Sequence, residues 1–144
     1  MTYLLDTVVL SELRKRRRDP NVVAWLAGAT ADELYISAVS IAEIENGIER
    51  QRGANPEFAT ALAAWLEVTL RVYGERILPL DVPIARRWGR LAGRIGNTGL
   101  DLAIAATALE HGLAVVTRNE SDFAPTGVMV VNPFVVPSRR KSPR

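Results

Sequence analysis

The chain contains no cysteine and one histidine, His111, in 144 residues. Disulfides and thiolate metal ligands are therefore excluded, and a zinc site is poorly supported. Lysine occurs only as Lys15 and Lys141, so the sheet-rim lysine that accompanies a phosphorylated aspartate is missing. There is no GxxxxGK(S/T) loop and no GxGxxG fingerprint, and Gly96 and Gly99 are too sparse to cradle phosphates. A Ser-His-Asp arrangement is not evident, because Asp101 and His111 fall at opposite ends of one expected helix. No apolar run reaches the roughly 18 residues of a membrane span. The absence of cysteine fits a cytoplasmic protein; Met1-Thr2-Tyr3 carries no basic leader and Asp6 interrupts the first apolar run, which argues against a signal peptide.

What is present suits a single α/β domain. Apolar residues make up 48% of the chain, enough for a substantial core. Tyr3–Leu5, Leu34–Ser37, Ile77–Leu80, Leu113–Thr117 and Val128–Val131 read as strands. Helices are expected from Thr7 to about Lys15, over Asn21–Ala27, from Ser40 to about Arg50, and over Glu57–Tyr73, Pro83–Ile95 and Leu100–Glu110. The alternation predicts a three-layer α/β domain over residues 1–137, with a mainly parallel central sheet flanked by helices. Residues 138–144 read as a basic, disordered tail. The formal net charge of +2 is unevenly spread. Arg14, Lys15, Arg16, Arg17 and Arg18 form one basic block and Arg139, Arg140, Lys141 and Arg144 another, leaving an acidic body. That pattern suits an anionic partner such as nucleic acid, or simple solubility.

Four acids carry the functional argument, and each has an ordinary structural alternative. Asp6 can cap the first helix, Ser40–Glu43 and Thr98–Asp101 each fit a capping box, and Asp122 can be a turn acid. Together they point elsewhere. Asp6 and Asp122 follow expected strands, while Glu43 and Asp101 open helices, so all four can meet at the carboxyl rim of the sheet, where open α/β folds bind ligands. Carboxylates that close repel unless neutralised, and a hard divalent cation such as Mg²⁺ or Mn²⁺ does so with oxygen ligands. Such an ion activates water and stabilises an in-line phosphoryl displacement; four carboxylates suit one ion or two. Asp6 and Asp101 are the expected direct ligands, Glu43 a water-mediated ligand or a base, and Asp122 the completing acid. Thr7, Thr117 and Asn119 bring uncharged hydrogen-bonding groups to the same rim, or serve turns and caps.

Three ordered segments carry a resemblance. They are Leu4–Leu13, Ile36–Ile48, and Asp101–Ala108 continuing through Val116–Phe123. In order and spacing, across residues 2–133, the chain resembles the PIN-domain ribonucleases, specifically the toxins of bacterial VapBC-type toxin–antitoxin systems and the related FitB group. The resemblance implies a small parallel sheet between helices, an acid cluster binding Mg²⁺ or Mn²⁺, and cleavage of RNA. Asp6, Glu43 and Asp101 match the family's first three acids. Many PIN domains carry Asp where this chain has Asn119, whereas this branch commonly keeps an acid at Asp122, which is taken as the fourth. The resemblance also implies a homodimer, silenced by a cognate antitoxin that wraps it and sets an arginine or similar side chain near the acids. Operator DNA is then bound indirectly, through the antitoxin. Arg14–Arg18, Arg118 and the tail are candidates for contact with the RNA backbone. Alternatives are a non-catalytic PIN-like binding module and a DNA-directed nuclease on the same scaffold.

Overall fold

Neighbouring residues of the first strand face opposite ways, and that alternation builds two cores. Leu4 is buried with Val115 and the small residues of a late helix, while Leu5 is buried with Ile36, Val116 and Leu66. In the computed structural model, which describes residues 1–136, the elements are β1 (Tyr3–Leu5), α1 (Thr7–Glu12), α2 (Pro20–Ala27), β2 (Leu34–Ser37), α3 (Ala38–Ala54), α4 (Pro56–Tyr73), β3 (Ile77–Leu78), α5 (Val82–Ile95), α6 (Leu100–His111), β4 (Ala114–Val116), α7 (Glu120–Phe123) and β5 (Val130–Val131). The expected basic tail lies outside the described residues. All strand pairs are parallel, in the order β3-β2-β1-β4-β5. The result is the anticipated three-layer α/β fold with a parallel sheet between helices.

Helix α6 holds one layer in place. Leu102 through Ala108 are all buried, because the helix packs on the sheet with Ala103, Ile104, Ala105 and Ala108 and on α5 with Ala106. Four alanines let two neighbours approach closely. Gly112 ends the helix in the left-handed conformation (φ 66°), which lets the chain turn directly into β4.

Several boundaries differ from expectation. Helix α1 stops at Glu12 rather than near Lys15, since Leu13, Arg14 and Lys15 donate to carbonyls three residues back instead of four. The Glu12 carboxylate, 5% exposed, then fastens the returning chain by accepting from the Asp19 amide at 2.9 Å and pairing with Lys15 at 2.7 Å. Neither expected capping box forms. Ser37 caps α3 by accepting from the Val39 amide, which moves Ser40 inside the helix; α6 is capped by Gly99 rather than Thr98. Helix α3 runs on to Ala54, and Asn55 ends it while capping α4 through its side chain to the Phe58 amide. Helix α7 was not anticipated.

Tight packing around α6 makes added volume costly. Replacing Ala106 by Leu should destabilise the protein by about 1–3 kcal/mol, read as a lower urea midpoint with an unchanged m-value. An unchanged midpoint would show that α5 and α6 are not closely packed at that point.

Candidate active site

The chain leaves β1 toward β2 and β3 on one side, and returns to β4 and β5 on the other. The switch point therefore lies between β1 and β4, and a ligand crevice is expected outside their carboxyl ends. Leu5 pairs with Val116, so the next residues, Asp6 and Thr117, meet at that crevice. The Asp6 amide donates to the Val116 carbonyl at 2.9 Å, continuing the ladder one residue past the strand. From there Asp6 opens α1. Its Oδ1 accepts from the Thr7 amide at 2.8 Å, and its Oδ2 accepts from Thr117 Oγ1 at 2.7 Å. Capping and a place at the rim are thus compatible roles of one carboxylate.

Asp6 is 3% exposed, and burial pushes its carboxyl up to about 6. The hydrogen bonds from Thr117 and Thr7 oppose that rise, and the charges of Asp101 and Glu43 add to it. Glu43, on the second turn of α3, is raised by partial burial and by the Asp101 charge, while the hydroxyl of Thr7 pulls it back. Asp101, in the first turn of α6, is raised by burial and by the charge of Asp122 on α7. The rim thus joins all four predicted acids in one electrostatic group, fed by β1, α3, α6 and α7.

Hydroxyl groups connect the set. Thr7 Oγ1 lies 2.7 Å from Glu43 Oε1 and 2.8 Å from Ser40 Oγ, so its one proton goes to the carboxylate while the serine hydroxyl donates to the threonine oxygen. Ser40, fully buried, is the member that the sequence did not single out as functional. Its signal was the spacing of three from Glu43, which puts both on one helix face. Thr117, also fully buried, accepts from the Asn119 amide at 2.9 Å as it donates to Asp6. Asn119 is exposed at the start of α7, and its side chain caps nothing. Asp122 is exposed as well. Arg118 stacks over Phe134, 3.9 Å from the ring centre.

Among the described residues, no three acidic or imidazole side chains converge closely enough to enclose a metal ion by themselves. The donor chemistry nonetheless fits a hard divalent cation: the groups joined at the rim bring carboxylate and hydroxyl oxygens, and Asp6 among them is desolvated and crowded by like charge. A cation would relieve what Thr117 and the Thr7 amide offset in part.

Two measurements follow from the buried carboxylate. Its folded value lies above the 3.8 of an unperturbed Asp, so folding takes up a proton between those values. The carboxylate opposes folding above about pH 6 and ceases to do so below about pH 4, where both states are protonated. In chelator, Asp6→Asn should stabilise the protein at pH 8 by up to about 3 kcal/mol, the gain shrinking toward pH 4. A gain independent of pH would contradict the assignment. Thr117→Val removes a bond to the ionised form, so the Asp6 carboxyl should titrate higher still by carbon NMR; a lower value would show that Thr117 does not hold it.

Comparison with known proteins places this arrangement. A family model described as PIN domain matches residues 3–127. The chain is 34% identical to Toxin FitB of Neisseria gonorrhoeae over 137 residues, covering 91% of this chain and 97% of that protein. It is 33% identical to a VapC ribonuclease of Sinorhizobium fredii, with 91% and 96% covered. The crystal structure of FitAcB from Neisseria gonorrhoeae superimposes with a TM-score of 0.82 at 34% identity, over 94% of this chain and 100% of that one. A structure of FitAB bound to a DNA fragment superimposes with a TM-score of 0.83 at 32% identity, with 96% and 100% covered. Matches of that extent make the chain a member of the PIN-domain family, in the branch of FitB- and VapC-type toxins of toxin–antitoxin systems.

Proposed function

We propose that the protein is a Mg²⁺- or Mn²⁺-dependent endoribonuclease, the toxin of a type II toxin–antitoxin pair, hydrolysing RNA phosphodiester bonds. The observation that carries this reading is Asp6, a carboxylate 3% exposed at the switch point, whose charge is coupled to those of Glu43 and Asp101. A purely structural cap has no need of two further acids beside it. The ribonuclease named among its relatives supports the same reading.

Asp6 and Asp101 are the residues that would hold the ion, with Asp122 beside Asp101 adding negative charge from α7. A bound divalent cation supplies charge neutralisation at the scissile phosphate and lowers the pKa of the attacking water. Thr117 keeps Asp6 Oδ2 oriented and stabilises its ionised form. Thr7 fixes Glu43 through Oε1, which leaves Oε2 to take a proton from the attacking water. The raised affinity of Glu43 for protons suits it to that transfer better than an exposed glutamate. Asn119 lies next to Thr117 at the mouth, where its amide side chain suits a phosphate oxygen or water.

The partners follow from the relatives. The superimposed structures are those of FitAcB and of FitAB bound to a DNA fragment. A cognate antitoxin that caps the acid rim, a homodimeric toxin, and operator DNA reached through the antitoxin are the corresponding proposals for this chain.

The test is cleavage of total RNA by the purified protein with Mg²⁺, with Mn²⁺ and with chelator. Asp6→Asn and Asp101→Asn should each lower the rate by at least about a hundredfold, more than the loss of an outer-shell partner costs. Asp122→Asn, at an exposed position, should lose about tenfold. An Asp6→Asn protein that cut RNA as fast as the parent would overturn the assignment. Cleavage of DNA in preference to RNA would move the activity to the other substrate.

A further inference from the structure

Beside the acid rim a second cavity opens. Thr7, Glu43, Ser11, Arg14, Gln51 and Phe58 line it. Its volume is about 230 Å³. That is below the roughly 300–1,000 Å³ of pockets that enclose drug-sized ligands, and it suits a single planar ring system. The Arg14 guanidinium lies over the Phe58 ring, 4.8 Å from its centre. Among the described residues Arg14 forms no ion pair, whereas neighbouring Lys15 is held by Glu12. Its charge is therefore left for an anion.

We propose that this cavity holds one base of the substrate RNA, the base of a nucleotide flanking the scissile phosphate. The inference rests on the ribonuclease reading and adds to it a determinant of where the RNA is cut. A nucleobase needs a flat face to stack on, hydrogen-bonding groups at its edge, and a cation near its phosphate. The stacked Arg14–Phe58 pair supplies the face. The Ser11 hydroxyl and the Gln51 amide each donate and accept, so they can read an edge. Arg14 meets the phosphate. Because Thr7 and Glu43 belong both to this cavity and to the acid rim, a base seated here sets the adjacent phosphodiester at the carboxylates. A single base so held confers a local preference, which contacts to phosphate alone do not.

Gly47 gives a clean way to fill the cavity. It lines the wall from within α3, and a Cβ built there meets nothing within 4 Å. Gly47→Leu therefore adds a side chain to open space and replaces a poor helix former by a good one, so the fold is retained. Phe58→Ala removes the ring on which Arg14 stacks.

The experiment sequences the cleavage sites of a randomised RNA pool cut by the parent and by both variants with Mn²⁺. In parallel, the anisotropy of labelled, uncleavable 2′-O-methyl trinucleotides reports binding. The parent should favour one base beside the cut by about tenfold, the scale of one stacked and hydrogen-bonded base. In both variants the preference should drop below about threefold. A preference unchanged in Gly47→Leu overturns the proposal. So does a filled cavity that weakens only binding of the co-expressed antitoxin, which would assign the groove to a protein partner. If the parent cuts no RNA, the ribonuclease reading falls, and the trinucleotides then decide the cavity separately. Affinity about tenfold lower in Gly47→Leu upholds a base site, and equal affinity rejects it.

Discussion

Everything at the rim depends on a carboxylate that the fold buries and does not neutralise. Asp6 directly follows the central strand, and its amide is held on the Val116 carbonyl, which fixes its backbone at the end of the ladder. Two donors, the Thr7 amide and the Thr117 hydroxyl, hold its oxygens. Neither donor carries a full charge, and the carboxyl stays well above its ordinary range. A fold selected only for stability would place an amide or a hydroxyl there. The retained charge makes sense as one half of an interaction whose other half is a cation.

The three remaining acids are positioned by the same logic at decreasing burial. Glu43 is half-buried because Ser37, and not Ser40, caps α3, which rotates Ser40 and Glu43 together toward Thr7. Asp101 stands at the start of α6, whose following seven residues are buried, so the helix cannot shift without disturbing the core on both sides. Asp122 is carried by a four-residue helix anchored by Phe123, which is fully buried. Rigid elements thus hold the inner acids and a short, exposed one holds the outermost.

Much of this was legible in the sequence, for identifiable reasons. Tyr3–Leu5 ends abruptly in Asp6, and such a stop in an apolar run marks both a strand end and a carboxylate at the sheet's rim. Glu43 and Asp101 stood out because each follows a short run of small residues at a helix start. The caps were misplaced by up to three residues because Ser37-Ala-Val-Ser40 offers two hydroxyls, and propensity does not say which one the strand end releases. Helix α7 escaped notice because Glu120–Phe123 is barely one turn, too short for any periodicity. Ser40 was seen only as a cap, since its bond to Thr7 joins residues 33 apart and depends on the packing of α1 on α3.

Helix α1 ties the two charge populations together. It is six residues long, about 9 Å. Asp6 fixes its start at the acid rim, and Glu12 fixes its end, where the basic block begins. Without Glu12 the arginines would sit on an untethered loop, and their repulsion would drive them apart. With it, Lys15 is paired and Arg14 is turned onto Phe58, roughly one short helix away from the carboxylates. An RNA strand approaching the acids meets repulsion unless cations offset it along the way. Under the proposed reading a metal would do so at the scissile phosphate, and Arg14 at its neighbour. On that reading the short helix would set the distance between the two compensations, and with it the nucleotide that lies over the cavity.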